Sequence, residues 1–511
     1  MLSRSTTHSN ATHAAIDYRV IVAVSLLLSL WLILLNPIIN RDAILYLRTA
    51  EAYLQGGLLA SFALFDRPFL SIIIALLHQL TGISLLHCGL LLSALFYALL
   101  STTFVSIVRL LGGDRRIQII AAIVILSHPM IATGRDSIMR DPPFWAFSLL
   151  AFRALLLYVR QPQLKHQFYW FTFVAIATVF RFEGLFFALL APLAAYAAME
   201  KGRRVKPCLR LLALPLAAVS IPGVCVLLLQ TVWFPDAQLF PDIGGYVNKL
   251  TALPQVFVDV STATGEALLV FTAKDDAGIA ALAGLTAILL AHLIRAMMWP
   301  YIIVLIWGRV QNLYTAIPRQ ARILLNGHLL IGLLYLGLFT LTNRFMLVRY
   351  CHILTIFIAL YLPFILNSAW AAQRRPLTKV LAILVLTGMS IDVAGHIGNR
   401  KIYIRNASEW VVENTPENAT LVTNIKYLAY FSKRETEWRN LGAISFNAPD
   451  LSRRAKLWRN SDYIVVRVRS SEADQWSDFL NAYSMTELNT FDGGNYGKIS
   501  IVAVPARHRV E

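Results

Sequence analysis

The sequence predicts a polytopic α-helical membrane protein with about eleven transmembrane helices, followed by a small C-terminal α/β domain outside the cytoplasm. Three observations predict it. Of 511 residues, 57% are hydrophobic and only 15% charged, with a mean hydropathy of +0.59, whereas soluble globular chains carry about 25% charge. Apolar runs of roughly 20 residues, enough to cross about 30 Å of hydrocarbon as a helix, begin at Tyr18 and stop near His396. Beyond that point the composition becomes that of a soluble domain, which divides the chain into 1–398 and 399–511.

Residues Met1 to Asp17 are rich in Ser, Thr and His and only weakly basic. The apolar run that follows is far longer than a signal-peptide core and has no small-residue cleavage site, so it reads as an uncleaved first span. Apolar runs and helix breakers place spans near 19–39, 84–111, 117–133, 142–160, 168–180, 183–199, 209–233, 279–307, 323–341, 346–366 and 377–395. One further run, Pro68 to Gly82, is only about 15 residues long and carries His78 and Gln79, which fits an interfacial or re-entrant helix. With that run on the outer surface, the basic clusters Arg115-Arg116, Lys201 to Lys206, Arg309 to Arg322 and Arg374 to Lys379 all fall on the cytoplasmic side. The mixed or acidic loops then face outward: Asn40 to Arg67, Gly134 to Asp141, Arg181 to Glu183 and Pro235 to Gly278. In the tail, a helix is expected at Ile402 to Asn414, and strand-like runs at Thr420 to Ile425, Tyr463 to Val468 and Ile499 to Val504.

The net charge of +17 does not make a nucleic-acid binder, because the basic residues sit in short loops between apolar runs and form no single stripe. The four cysteines all lie in or beside apolar segments, and the tail has none to pair, so no disulfide framework is implied. No P-loop, nucleophile elbow, dinucleotide fingerprint or zinc signature is present, which argues against an ATP-driven pump or a serine hydrolase. His128, His292, His328 and His352 lack metal-ligand spacing and read as packing or polar contacts.

Charges near hydrocarbon are costly, so those that topology does not require are the informative ones, and they gather at the outer rim. The first outer loop holds Asp42 and Tyr46 and ends Asp66-Arg67-Pro68. The next holds Arg135, Asp136, Arg140 and Asp141 directly before a span. Arg181 and Glu183 lie in Phe180-Arg181-Phe182-Glu183-Gly184, and Arg344 and Arg349 in Asn343 to Tyr350. Any single acid–arginine pair is equally what a salt bridge at headgroup level looks like, and arginines at span ends snorkel. In combination they suit transfer from a sugar phosphate: an acid takes the proton of an acceptor hydroxyl while arginines stabilise the phosphate leaving group. Arg344 and Arg349, outside and without an adjacent acid in sequence, are the better candidates for a lipid phosphate.

In order and on one face, these motifs resemble the C-type (GT-C) superfamily of membrane glycosyltransferases, especially aminoarabinose transferases of lipid A and protein O-mannosyltransferases. The resemblance covers roughly Ile39 to Pro363 and rests on Asp42 with Tyr46, Asp66-Arg67-Pro68, Arg135 to Asp141, Phe180 to Gly184 and Arg349-Tyr350. It implies a GT-C-like fold in a bacterial inner membrane, a polyprenyl-phosphate sugar as donor, and an extracytoplasmic glycolipid, polysaccharide or protein as acceptor. It implies Asp42 as base and a donor phosphate held by Arg67, Arg344, Arg349 and Arg181. Tyr46, Arg135 and Glu183 belong to the same site. Asp66 would position the acceptor or a divalent metal ion, and Asp141, with Asp136 its rival, matches the second-loop acid. The family's paired acid is Ala43 here, so Asp42 alone must serve. No histidine lies in Pro235 to Gly278, which speaks against a zinc site of the aminoarabinose-transferase kind. The rival readings are a polyprenyl-linked glycan transporter or flippase, an O-antigen ligase or polymerase, and a degenerate member whose tail binds a partner.

Overall fold

Apolar length and proline position decide where the helices run and where they break. The protein is described from a computed structural model, which covers residues 16–36, 38–200, 202, 204–217, 248, 251–371, 376–395, 402–432, 434 and 446–505. Among these, six helices are long and apolar enough to cross a membrane: Tyr18–Leu35, Leu85–Leu110, Asp141–Arg160, Phe271–Met297, Arg319–Asn343 and Leu377–Ala394. A seventh is counted if Val348–Ala359 and Leu362–Trp370, bent by 47°, form one broken span. The chain is thus a helical integral membrane protein with a small C-terminal sheet.

Several of the about eleven expected spans are shorter or broken, and prolines mark the breaks. The run 117–133 divides into Arg115–Leu126 and a short turn of helix, Pro129–Ala132. The run 279–307 divides at Met298, whose φ of 64° stops one helix just before Trp299-Pro300 opens the next. Proline has no N–H to donate to the preceding turn and clashes with the carbonyl four residues back, so it is best accommodated at a helix start, although Pro192 lies inside Gly184–Ala198. Leu164–Phe180 and Gly184–Ala198, at 17 and 15 residues, fall short of the six. The run Pro68 to Gly82 forms a helix of 13 residues, Phe69–Thr81, closed by Gly82 in the left-handed conformation. Of the expected span 209–233 only 209–217 lie within the described residues, and of the 235–278 loop only 248 and 251–278.

The long helices carry apolar side chains on their outer faces. On Tyr18–Leu35, the residues Leu27, Leu30, Trp31 and Leu34 repeat at helical spacing and are each half or more exposed. Such a stripe is unfavourable in water and at home in lipid. Where helices meet each other, small residues let them approach: a Cβ on Gly327 would come within 2.4 Å of the Ala194 Cβ.

The chain folds as two units. The first comprises Met1–Leu28, Ser93–Arg135 and Arg140–Gly395; the second comprises Ser29–Leu92, Asp136–Met139 and His396–Glu511. The second unit holds a four-stranded sheet in the order β1-β2-β4-β3, with β1 Leu421–Val422, β2 Tyr463–Val468, β3 Glu487–Asp492 and β4 Lys498–Ala503. β1 is parallel to β2, and the other pairings are antiparallel.

Alternation builds two cores on this sheet. Ile464, Val466 and Val468 point to one face, where they meet Trp476 and Phe479 of the helix Ala473–Ala482 and the buried Trp458. Val465, Ile499 and Ile501 point to the other, against Ile404, Ala407 and Val411 of the helix Ile402–Asn414. Ile38, from the segment after the first long helix, joins that second core. β3 escaped the sequence reading because Glu487, Asn489 and Asp492 have poor strand propensity; its alternating half-buried pattern is that of an edge strand.

Candidate functional site

The first unit gathers part of the predicted set at the junction of two apolar helices. Arg181 ends the helix Leu164–Phe180 in an extended conformation, which directs its side chain off the helix axis. Its Nη1 donates to Asp141 Oδ1 at 2.5 Å and its Nη2 to Glu183 Oε1 at 2.5 Å. The Tyr335 hydroxyl, from Arg319–Asn343, donates to the same Glu183 oxygen at 3.1 Å. All three charged side chains are at most 14% exposed. A guanidinium presents its donors as a planar fork, which is why one arginine can satisfy two carboxylates here.

Burial alone would raise the Glu183 carboxyl, but the Arg181 charge and hydrogen bond overcome it and hold the group down to about 2. Burial likewise opposes the Arg181 charge, and Asp141 and Glu183 together raise its pKa well above the ordinary arginine value. Two guanidiniums lie near the Tyr350 ring, Arg181 4.9 Å and Arg349 5.3 Å from its centroid. Arg344 is exposed and caps Arg319–Asn343 in the left-handed region, at φ 59°. Arg135 is buried: Nη1 donates to the Ser25 hydroxyl at 2.9 Å and backbone carbonyl at 3.2 Å, with the guanidinium over the Tyr97 ring. Tyr335 belongs to this cluster although nothing in the sequence singled it out, since a mid-helix tyrosine carries no signal of its partner 152 residues away.

The second unit holds the rest. Asp42 lies half-buried in the first turn of the helix Arg41–Leu64, where the helix dipole favours a carboxylate. Asn40 precedes this helix without capping it; instead its Nδ2 donates to the Ile138 carbonyl at 3.1 Å and its Oδ1 accepts the Ile138 N–H at 2.8 Å. Asp136 accepts from Asn36 Nδ2 at 2.7 Å and from the Ser137 hydroxyl at 3.0 Å. The two predicted outer loops are thereby joined. Asp66 pairs with Arg67 at 3.1 Å, and Tyr46 is buried with its ring 5.8 Å from Phe65.

The same helix meets the C-terminal part of the unit. Arg48 bonds Glu51 at 2.8 Å and lies over the Tyr430 ring. Lys426 opens the helix Lys426–Ser432 beside Arg41 and Asp42, and burial together with Arg41 lowers its ammonium pKa, against the opposing pull of Asp42. Arg41 and Lys426 help to line a cleft of about 870 Å³.

Among solved structures, three sugar transferases align with this chain at low similarity. ArnT from Cupriavidus metallidurans bound to undecaprenyl phosphate aligns with a TM-score of 0.44 and 14% identity, covering 98% of this chain and 100% of that one. Arabinofuranosyltransferase AftD from Mycobacteria aligns with a TM-score of 0.46 and 16% identity, over 96% of this chain and 40% of that one. The Archaeoglobus fulgidus oligosaccharyltransferase in complex with Zn and sulfate aligns with a TM-score of 0.45 and 14% identity, over 88% and 68%. No protein-family model and no curated protein matches the sequence.

A divalent ion finds no ready cage in these residues. Asp66 and Asp141 are each paired with an arginine, and among the described residues no three His, Cys, Asp or Glu side chains come together to hold a metal.

Proposed function

We propose that the chain is a membrane glycosyltransferase that moves a sugar from a polyprenyl-phosphate donor to an extracytoplasmic acceptor with inversion at the anomeric carbon. The observation that carries this reading is Asp42: a carboxylate in the first turn of a helix, next to Arg41 and beside Lys426, two cations that line a polar cleft. A carboxylate so placed can accept a proton from a hydroxyl.

In the proposed reaction the acceptor hydroxyl loses its proton to Asp42 as its oxygen attacks the anomeric carbon. The bond from that carbon to the phosphate oxygen breaks, and the polyprenyl phosphate leaves with the electron pair. Arg67, Arg344 and Arg349 stabilise the negative charge that develops on the phosphate. A single displacement from the face opposite the leaving group gives inversion. Arg181, whose two Nη atoms are taken by Asp141 and Glu183, holds those carboxylates in place, and Asp141 or Asp66 orients the acceptor.

The test is transfer of radiolabelled sugar from polyprenyl-phosphate donors by purified protein in the presence of a cell-envelope extract, comparing wild type with Asp42→Asn. Removal of a general base is expected to slow transfer on the order of 10²–10⁴-fold while the protein stays folded in the membrane. Equal transfer by both proteins would remove Asp42 from this role, and no transfer from any donor would overturn the enzyme reading.

A further inference from the structure

The cleft of about 870 Å³ in the second unit has a wall chemistry that goes beyond the transfer reaction. Among the described residues, four cationic side chains line it, Arg41, Lys426, Arg467 and Arg469, against two acids, Glu472 and Asp492. Both acids are engaged in local turns. Glu472 accepts the Arg469 backbone N–H at 3.1 Å and lies 3.8 Å from the Arg469 guanidinium; Asp492 accepts the Gly494 N–H at 2.8 Å. The cleft therefore presents an excess of positive charge that its own acids do not neutralise, and two of its cations, Arg41 and Lys426, repel each other.

The backbone of one of these cations is fixed. Asn424 fixes the Arg467 backbone from both sides, donating to its carbonyl at 3.1 Å and accepting its N–H at 2.8 Å. Aromatic rings complete the lining: Tyr403 from the helix Ile402–Asn414, Phe491 from the end of β3, and Tyr496 from the hairpin that joins β3 to β4. Tyr403 lies flush against that hairpin, since a Cβ on Gly493 would come within 2.7 Å of its ring. Flat apolar faces interleaved with cations suit a ligand that is itself apolar on its ring faces and negatively charged at one substituent.

We propose that this cleft docks the acceptor and that the acceptor is an anionic saccharide, a sugar bearing a phosphate or carboxylate group. The proposal rests on the transferase reading for the word acceptor; the binding chemistry rests on the cleft alone.

Isothermal titration calorimetry on the full-length protein in detergent tests it with four probes: N-acetylglucosamine 1-phosphate, galacturonate, N-acetylglucosamine and inorganic phosphate. One of the charged sugars is expected to bind about tenfold or more tightly than the neutral sugar and than inorganic phosphate, the worth of one charge-assisted hydrogen bond. Which charged sugar binds better distinguishes phosphate from carboxylate as the source of the charge. Lys426→Gln/Arg467→Gln, checked for an unchanged melting temperature, should lose that preference. Tyr496→Ala, at an exposed ring, should weaken the sugar but not inorganic phosphate. Equal binding of the neutral and charged sugars, equal binding of inorganic phosphate and the sugar phosphate, wild-type binding by the double variant, or no binding of any probe would each overturn the proposal. Loss of cleft binding with unchanged sugar transfer would refute acceptor docking and leave the transferase reading standing. Cleft binding by a protein that transfers nothing would do the reverse.

Discussion

Arg181 donates to Asp141 at 2.5 Å although the two lie 40 residues apart in sequence, and its other Nη reaches Glu183 at the same distance. One cation thus closes the circuit for two carboxylates that are almost withdrawn from solvent. Taking ions out of water is costly, and such a cluster is stable only while each charge keeps its partner.

Replacing Arg181 by Met should therefore strand Asp141 and Glu183 and destabilise the first unit by about 3–5 kcal/mol. Arg181→Lys restores the charge without the planar fork and should recover only part of the loss. Thermal unfolding of the detergent-solubilised protein measures both, and unaltered melting of Arg181→Met would show that the cluster does not stabilise the fold.

The depressed Glu183 carboxyl makes a pH prediction. In the folded protein it binds a proton less readily than in the unfolded chain, with its value moved from 4.5 to about 2. Its contribution to stability is then fully present above pH 4.5 and is lost as pH falls toward 2. The gap in melting temperature between wild type and Glu183→Gln should be widest at neutral pH and narrow as the solution is acidified through that window. A gap that does not change with pH would contradict the pairing.

Asn40 joins the two outer loops through its paired bonds to Ile138. Asn40→Ala leaves one backbone donor and one acceptor without that partner, at a cost of about 1–3 kcal/mol. Limited proteolysis should then cut within 134–141 faster than in wild type; an unchanged cleavage rate would show that other contacts hold the loop.

Two glycines of the hairpin between β3 and β4 should respond differently to alanine. Gly494 has φ 59° but open space around its missing Cβ, so Gly494→Ala should cost about 1–2 kcal/mol, the left-handed penalty alone. Gly497 has φ 86°, and a Cβ there would stand 2.1 Å from the Val468 carbonyl oxygen, on the neighbouring strand β2. Gly497→Ala should unfold the sheet, read as loss of near-ultraviolet circular dichroism from Trp458 and Trp476. Equal effects at both positions would show that backbone conformation, and not crowding, sets the cost.

Much of the architecture was legible in the sequence because it follows from local periodicity. The helix Ile402–Asn414 and the strand Tyr463–Val468 were readable residue for residue, since both bury faces whose spacing is fixed by the backbone. The short helix after Pro68 was legible from its length and its glycine terminus. Broken spans were less so, because Pro300 and Pro363 sit inside continuous apolar runs and hydropathy does not register a missing N–H. The edge strand β3 was hidden for a related reason: its residues are polar, and only pairing with β4 makes it a strand.

The sequence by itself determined that the chain lives in a bilayer, roughly where its long apolar helices lie, and which acids and arginines stand at loop ends. Only the tertiary structure decided how those charges are distributed: Arg181 with Asp141, Glu183 and Tyr335; Asp136 with Asn36; Asp42 beside Lys426 from the far end of the chain. The physical reason is range. Periodicity and hydropathy act over a few residues and are written in order along the chain, whereas the contacts of Arg181 with Asp141, Tyr335 with Glu183 and Asn36 with Asp136 join groups tens to hundreds of residues apart and exist only once packing has brought them together.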